Sequence, residues 1–378
     1  MQVRVFTDGI RKLGIQTVAG VPDSTLKTFC EYLNFGNEEQ FRHYVPANEG
    51  AAVGLAIGTY LSTGKPACVY MQNSGLGNIV NPLTSLANKE IYGIPMLFLI
   101  GFRGEPGEHD EPQHKFMGRI TESLLDCLEV TYGIVDKCTT EEQLELLWKE
   151  ADSCLQENKQ YALIIKKDTF GKEKFIKYDN GYELSREKTI ATLLNDISQE
   201  DIIVSTTGKI SREVYEQCDN MGRSHNQVFL TVGGMGHTSM IALELAESQR
   251  EKRVICIDGD GAVLMHMGSL ALIAKRAPQN LIHILLNNDV HESVGGMPTG
   301  AYGLRYQKIA DSCGYRESFG IRTEEELEQF GRKMKDLKGP SFVEILVQNA
   351  SREDLLRPIE TARENLEQFM KYHKFVRR

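Results

Sequence analysis

The sequence predicts an α/β protein built as two similar three-layer domains, each a mostly parallel sheet between helices, with no middle domain. Short β-branched or apolar runs alternate with helical patterns along the whole chain, which is how strands covered on both faces read. Five such runs fall in each half, enough for one sheet apiece. At 378 residues, 41% hydrophobic and 25% charged, the chain is long enough for two or three domains with sizeable cores.

In chain order, the first-half strands are predicted at 17–19, 43–45, 67–70, 96–100 and 161–165. The stretch 102–118 is rich in Gly, Pro and acidic residues and is expected to be a loop. Charged residues and turn formers with little periodicity mark 169–184 as a linker, so the domains are drawn at 1–168 and 185–378. Ser185 stands as an N-cap before a helix. Second-half strands are predicted at 202–204, 228–230, 254–257, 281–286 and 341–347, with a helix over 267–275. From Arg352 onward, Leu355, Leu356, Leu366 and Phe369 recur at helical spacing, which suggests a surface or subunit-contact helix.

The halves also match each other. Sliding the first by 186 positions superposes Asn73-Ser74-Gly75 on Gly259-Asp260-Gly261 and Glu49-Gly50 on Met235-Gly236, with matches falling at turns after strands, where open α/β sheets bind ligands. A duplicated fold is expected.

A net charge of −9 argues against a nucleic-acid surface. No apolar run is as long as a membrane span, and the first residues lack a signal-peptide core, so a cytoplasmic protein is expected. The eight Cys are scattered without a close pair, which predicts reduced thiols and no zinc site. A nicotinamide dehydrogenase is disfavoured, because no Gly-x-Gly-x-x-Gly turn follows the first strand.

The chemistry concentrates in the second half. Gly259-Asp260-Gly261 ends one strand, and after 25 residues Asn287-Asn288 ends the next. Neighbouring parallel strands carry Asp260 and Asn288 to one edge, where a carboxylate and an amide oxygen suit a hard cation such as Mg²⁺. Gly259 and Gly261 let the backbone approach a diphosphate closely. A diphosphate–magnesium site follows from these residues alone.

Here the sequence resembles the thiamine-diphosphate enzymes, whose signature is Gly-Asp-Gly, then Asn-Asn about 25 to 30 residues later. The resemblance implies the thiamine-diphosphate-binding fold, thiamine diphosphate and Mg²⁺ as cofactors, and a pyrimidine-binding domain followed by a diphosphate-binding one. It implies metal ligation by Asp260, Asn288 and the Val290 carbonyl. It also makes Glu49, in Val45-Pro46-Ala47-Asn48-Glu49-Gly50, the acid that hydrogen-bonds the aminopyrimidine, and Met235, beside Gly234 in Val232-Gly233-Gly234-Met235-Gly236, the apolar prop beneath the cofactor.

Within the family, Gly20-Val21-Pro22-Asp23-Ser24, the stretch around Gly104-Glu105-Pro106-Gly107 and His291-Glu292-Ser293-Val294-Gly295-Gly296 resemble the decarboxylases of phosphonopyruvate and sulfopyruvate. The resemblance spans nearly the whole chain and implies release of CO2 from a small anionic 2-oxo acid. Asp23, His109 and His114 are then the candidates for proton handling, without an order among them. Arg103, Lys209 and Arg212, near predicted strand ends, are candidates for the substrate's anionic group. His291 and Glu292 follow the metal segment closely. Longer pyruvate decarboxylases carry an acid six positions past the ligand Asn, a place held here by Val294, with Glu292 four past. The family's cofactor lies between subunits, so at least a homodimer is expected, with neither nucleic acid nor membrane as a partner.

Overall fold

In the computed structural model, which describes all residues except 37–39, 174, 176, 177, 301, 353 and 376–378, every predicted run is a strand. The strands are β1 (Thr17–Gly20), β2 (Arg42–Tyr44), β3 (Ala67–Gln72), β4 (Met96–Gly101), β5 (Thr131–Val135) and β6 (Gln160–Ile165), then β7 (Ile202–Ser205), β8 (Val228–Leu230), β9 (Val254–Gly259), β10 (Leu281–Asn287), β11 (Glu317–Ile321) and β12 (Ser341–Leu346). They form two six-stranded parallel sheets, ordered β2-β1-β3-β4-β6-β5 and β8-β7-β9-β10-β12-β11. Renumbered from its own first strand, the second order equals the first. The strand pairs β3/β9 and β4/β10 begin 187 and 185 residues apart, bracketing the offset of 186 read from the sequence. This repeat of topology shows a duplicated architecture.

The chain divides into two compact units, Met1–Lys177 with Val294–Gly300, and Tyr178–Ser293 with Ala301–Arg378. Between 166 and 185 the described residues form no helix or strand beyond the single bridge Leu184↔Val347; positions 174, 176 and 177 of the expected linker lie outside the described residues. Each unit has a core on both faces of its sheet. Cys68 and Tyr70 join Phe6, Phe29 and Trp148 on one side of the first sheet, while Val69 and Met71 join Ala52, Phe98 and Leu125 on the other. Burial on both faces explains why these strands read as unbroken apolar runs. In the second unit, Ile255 and Ile257 face one core, Val254 and Cys256 the other.

Three expectations need correction. The strands β5 and β11 were not predicted: each is an edge strand, partly exposed, with a glycine inside, so neither shows a sustained apolar run. Residues 102–118 are a loop only to Glu111, because Pro112 starts the helix Pro112–Cys127, a position where proline's missing N–H costs nothing. The last helix begins not near Arg352 but at Ala362, behind a Thr361 capping box, and Leu356 is exposed. Ser185 does precede the helix Arg186–Asp196.

Parallel strands bring their carboxyl ends to one edge of each sheet. In the first unit that edge carries Gln72, the last residue of β3, and Asp23, Asn73 and Arg103, just past β1, β3 and β4; in the second it carries Lys209, Asp260 and Asn288, just past β7, β9 and β10. No described helix is long and apolar enough to cross a membrane.

Candidate functional site

In the first unit, Glu49 opens the helix Glu49–Thr63, whose N-cap Asn48 accepts a hydrogen bond from the Ala51 N–H at 2.9 Å. A carboxylate there complements the helix dipole, but this one is 5% exposed rather than solvated. Asn78 Nδ2 donates to its Oε2 at 2.6 Å. Gly75 packs against the same carboxylate: a Cβ at that position would lie 2.5 Å from Glu49 Oε1. The segment following β3, the one superposed on Gly-Asp-Gly, therefore builds the seat of Glu49.

Asp23 sits fully buried in the turn between β1 and the helix Lys27–Glu31. Its Oδ1 accepts from the Thr25 and Leu26 N–H groups at 2.8 and 3.2 Å, an Asx-type turn, and its Oδ2 from Gln72 Nε2 at 2.7 Å. Gln72 in turn accepts from Ser74 Oγ at 2.7 Å. Residues 72–78 thus fix Asp23 at one end and Glu49 at the other.

Arg103 makes a bidentate pair with Asp110, through Nε at 2.8 Å and Nη2 at 2.5 Å, and donates Nη1 to Ser24 Oγ at 2.8 Å. Burial alone would raise the Asp110 carboxyl, but Arg103 and the N–H groups of Glu111 and Gly104 hold it well below the usual carboxylate range. His114, in the first turn of the following helix, is lowered by burial and then by Arg103, and it feels the charges of Asp110 and Asp23. His109 stays exposed on the loop. The structure gathers Asp23, Arg103 and His114, and leaves His109 outside.

In the second unit, β9 and β10 pair Gly259 with Leu286, which places Asp260 and Asn288 one and two residues beyond that rung on adjacent strands. Both are buried. Asn288 Nδ2 donates to Glu292 Oε2 at 3.3 Å, and its Oδ1 accepts from the Val290 N–H at 3.2 Å, keeping a second lone pair. Asp289 between them takes the left-handed conformation (φ 59), which returns the chain toward Val290. Asn180, from the linker, donates to the carbonyls of Asn288 and Val347, both at 3.0 Å, and Tyr182 donates to Asp289 Oδ2.

Gly261 lies under two other candidates. A Cβ there would meet Met235 Cε and His291 Cε1, each at 3.2 Å. Gly234, one residue before Met235, has φ 65, a conformation that L side chains rarely adopt. Desolvation pushes His291 down to about 4, so its imidazole is neutral at pH 7. Glu292 accepts from Arg186 and, at 3.1 Å, from Lys209 Nζ, while Arg186 also pairs bidentately with buried Glu213 at 2.7 Å. Burial would raise Glu292, but Arg186, Ser351 and Lys209 hold it below its ordinary range. Arg212 is half-buried on the helix Lys209–Asn220.

The donor set fits a hard divalent cation: a carboxylate and an amide oxygen at adjacent strand ends, between glycines that leave room for phosphate. Sequence reasoning missed Gly75, Asn78, Gln72, Asp110, Asn180 and Arg186. The first three follow from the internal repeat, since Gly75 lies in the triplet that superposes on Gly-Asp-Gly and Gln72 and Asn78 flank it. The others are polar residues whose partners are distant in sequence or on the same loop, and nothing in their spacing marks them.

Comparison with known proteins finds one family model in each half of the chain. Residues 3–124 match the family model of the thiamine pyrophosphate enzyme N-terminal TPP binding domain, and 206–345 that of the C-terminal TPP binding domain. The chain is 33% identical over 377 residues to a phosphonopyruvate decarboxylase of Streptomyces viridochromogenes, covering 96% of this chain and 92% of that protein. It is 29% identical over 366 residues to a sulfopyruvate decarboxylase of Methanosarcina acetivorans, covering 89% of each. The sulfopyruvate decarboxylase subunits beta and alpha of Methanococcus maripaludis each match part of it, at 37% identity over 145 and 119 residues, that is 38% and 32% of this chain and 74% and 68% of those subunits.

Proposed function

Because this chain belongs to the thiamine pyrophosphate enzymes, we propose that it catalyses the Mg²⁺-dependent, non-oxidative decarboxylation of 3-phosphonopyruvate to phosphonoacetaldehyde and CO2, a step of phosphonate biosynthesis. The observation that carries the reading is the pair of strand-end turns: Asp260 and Asn288 side by side past β9 and β10, with Gly261 opening onto Met235. When bound, thiamine diphosphate supplies the electron sink for the carbon–carbon bond that breaks.

The chain's residues do the rest. Asp260, Asn288 and the Val290 carbonyl would hold Mg²⁺. Glu292 accepts the Asn288 amide N–H and so fixes that side chain, whose Oδ1 would keep a lone pair available as a ligand. Gly259, Gly261 and Gly234 would leave room for the diphosphate, and Met235, beside Gly261, would support the bound group. Glu49, fixed by Asn78 against Gly75, would offer its carboxylate to the aminopyrimidine. His114, with Asp23 nearby, carries the proton that replaces CO2 on the product. Arg103, Lys209 and Arg212 are the cations for the phosphonate; Arg103 and Lys209 each already hold a carboxylate, so the substrate would share them. His291 packs beside Gly261, and Glu292 holds Asn288 and Lys209, at the same strand-end turns of the second unit. Glu49 of one chain and Asp260 of another would serve one site, which makes the active form at least a homodimer.

The choice of phosphonopyruvate rests on the relative that matches over nearly the full length of both proteins. The match to sulfopyruvate decarboxylase supports a second reading with the same machinery and a sulfonate. Purified protein incubated with thiamine diphosphate, Mg²⁺ and each of phosphonopyruvate, sulfopyruvate and pyruvate, with CO2 and aldehyde scored together, separates them. Phosphonopyruvate is expected to turn over fastest. Faster turnover of sulfopyruvate would transfer the assignment, and no CO2 from any of the three would reduce the chain to a cofactor-binding subunit.

A further inference from the structure

Beneath the Gly-Asp-Gly turn, on the central strand pair of the second unit, three chemically active side chains meet in the core. Cys256 and Asp258 are two residues apart on β9, so both point to one face, and His283 on β10 is the ladder partner of Cys256. All three are buried at 1% exposure or less. One potential ligand atom from each lies within 4.8 Å of the other two.

Asp258 Oδ2 and His283 Nε2 have no hydrogen-bond partner among the described residues, although they stand 3.4 Å apart. They do not make a hydrogen bond with each other, and the Cys256 sulfur completes the group of three potential ligand atoms. The separation is itself informative. Two ligands about 2.0 to 2.1 Å from a tetrahedral ion are about 3.4 Å apart along the tetrahedron's edge. The opposite ends of both groups are anchored: Asp258 Oδ1 accepts the Gly259 N–H at 3.0 Å, and His283 Nδ1 lies 3.4 Å from the Tyr315 hydroxyl, as outer-shell partners of metal ligands do.

Charge gives the same direction. A buried carboxylate is costly without a hydrogen-bonded countercharge, and His283 Nε2, 3.4 Å away, makes no hydrogen bond to it. A divalent ion bound by a thiolate, a carboxylate and a neutral imidazole brings the sum to zero.

We propose that Cys256, Asp258 and His283 form a second metal site, a structural site for Zn²⁺ or a chemically similar divalent ion. Sulfur and imidazole donors select such an ion over Mg²⁺, and a water completes the tetrahedron. The ion ties β9 to β10 directly under the turn that carries Asp260. The scattered cysteines gave no zinc-type spacing because the ligands are joined by a ladder, not by a short loop.

The test is metal analysis of the chain expressed in Zn²⁺-supplemented medium and then exposed briefly to chelator. About one equivalent of Zn²⁺ per chain is expected to remain, and it is expected to fall to trace in Cys256→Ala and His283→Gln. Since either variant could fail to fold, the parent chain expressed in Co²⁺ provides a second reading: a near-ultraviolet thiolate-to-cobalt band with the visible bands of four-coordinate Co²⁺. Equal Zn²⁺ in parent and folded variants, no retained ion in the parent, or a Co²⁺ spectrum without the sulfur band would each overturn the proposal. None of these readouts uses decarboxylation, so the result is independent of the proposed reaction.

Discussion

Glu49 and Gly75 form a unit in which a missing side chain matters as much as a present one. The carboxylate is held by Asn78 and presses on a residue that has no Cβ to displace it. Glu49→Gln keeps the size and the Asn78 neighbour but removes the charge. We expect it to lower kcat at least about a hundredfold, the scale on which positioned acid–base groups act, with thermal stability near that of the parent; steady-state kinetics beside a melting curve checks this. Full activity in Glu49→Gln would remove the assigned role. Gly75→Ala places a methyl group 2.5 Å from Oε1 and forces the carboxylate to turn away. It is expected to cost about tenfold or more in kcat and about 1 to 3 kcal/mol of stability, the range for overpacking a dense site. At this scale Asp260, Asn288 and Glu49 were legible because their motifs are local, each a few residues at a strand or helix end. Asp110 was not, because what gives it meaning is the guanidinium folded back onto it.

At the scale of elements, the loop from Arg103 to Glu111 shows how a polar wall is made rigid without apolar burial. One carboxylate, Asp110, accepts from Arg103 Nε and Nη2, from the Gly104 N–H at 2.7 Å and from the Glu111 N–H at 2.8 Å. Gly104 in turn lies so close to the following helix that a Cβ would fall 2.0 Å from the His114 carbonyl oxygen. The Asp110 pKa lies below its unfolded value of about 3.9, so its contribution is present above that pH and is lost as pH falls toward the folded pKa. Asp110→Asn is therefore expected to lose about 2 kcal/mol at pH 7, allowing for partial exposure of the pair. The deficit should persist down to about pH 4 and shrink below it; chemical denaturation of both proteins from pH 7 to 3 measures this. A deficit independent of pH would show that the ion pair is not its source. Elements were legible where burial on both faces imposed long apolar runs. They were illegible at the sheet margins, where Glu317–Ile321 keeps only Ile321 buried; the 102–111 loop was legible as a loop, but not the polar bonds that order it, which hydropathy does not register.

Across the whole molecule, two units of identical strand order offer different chemistry at the same edge. The turn after β3 presents a glycine to Glu49, whereas the corresponding turn after β9 presents Asp260. If the cofactor is gripped by the second unit of one chain and activated by Glu49 of its partner, two inactive variants should repair each other. In a dimer of Glu49→Gln with Asp260→Asn, one site receives both substitutions and the other receives neither. Random exchange makes half the dimers mixed, each with one intact site of two, so an equimolar mixture is expected to regain about one quarter of parental activity. The measurement is decarboxylase rate after co-refolding or co-expression of the two variants, against each alone. A site assembled from a single chain predicts no recovery at any mixing ratio, because every such site carries one of the two lesions. The size of the recovered rate therefore reads out which chains meet at the cofactor.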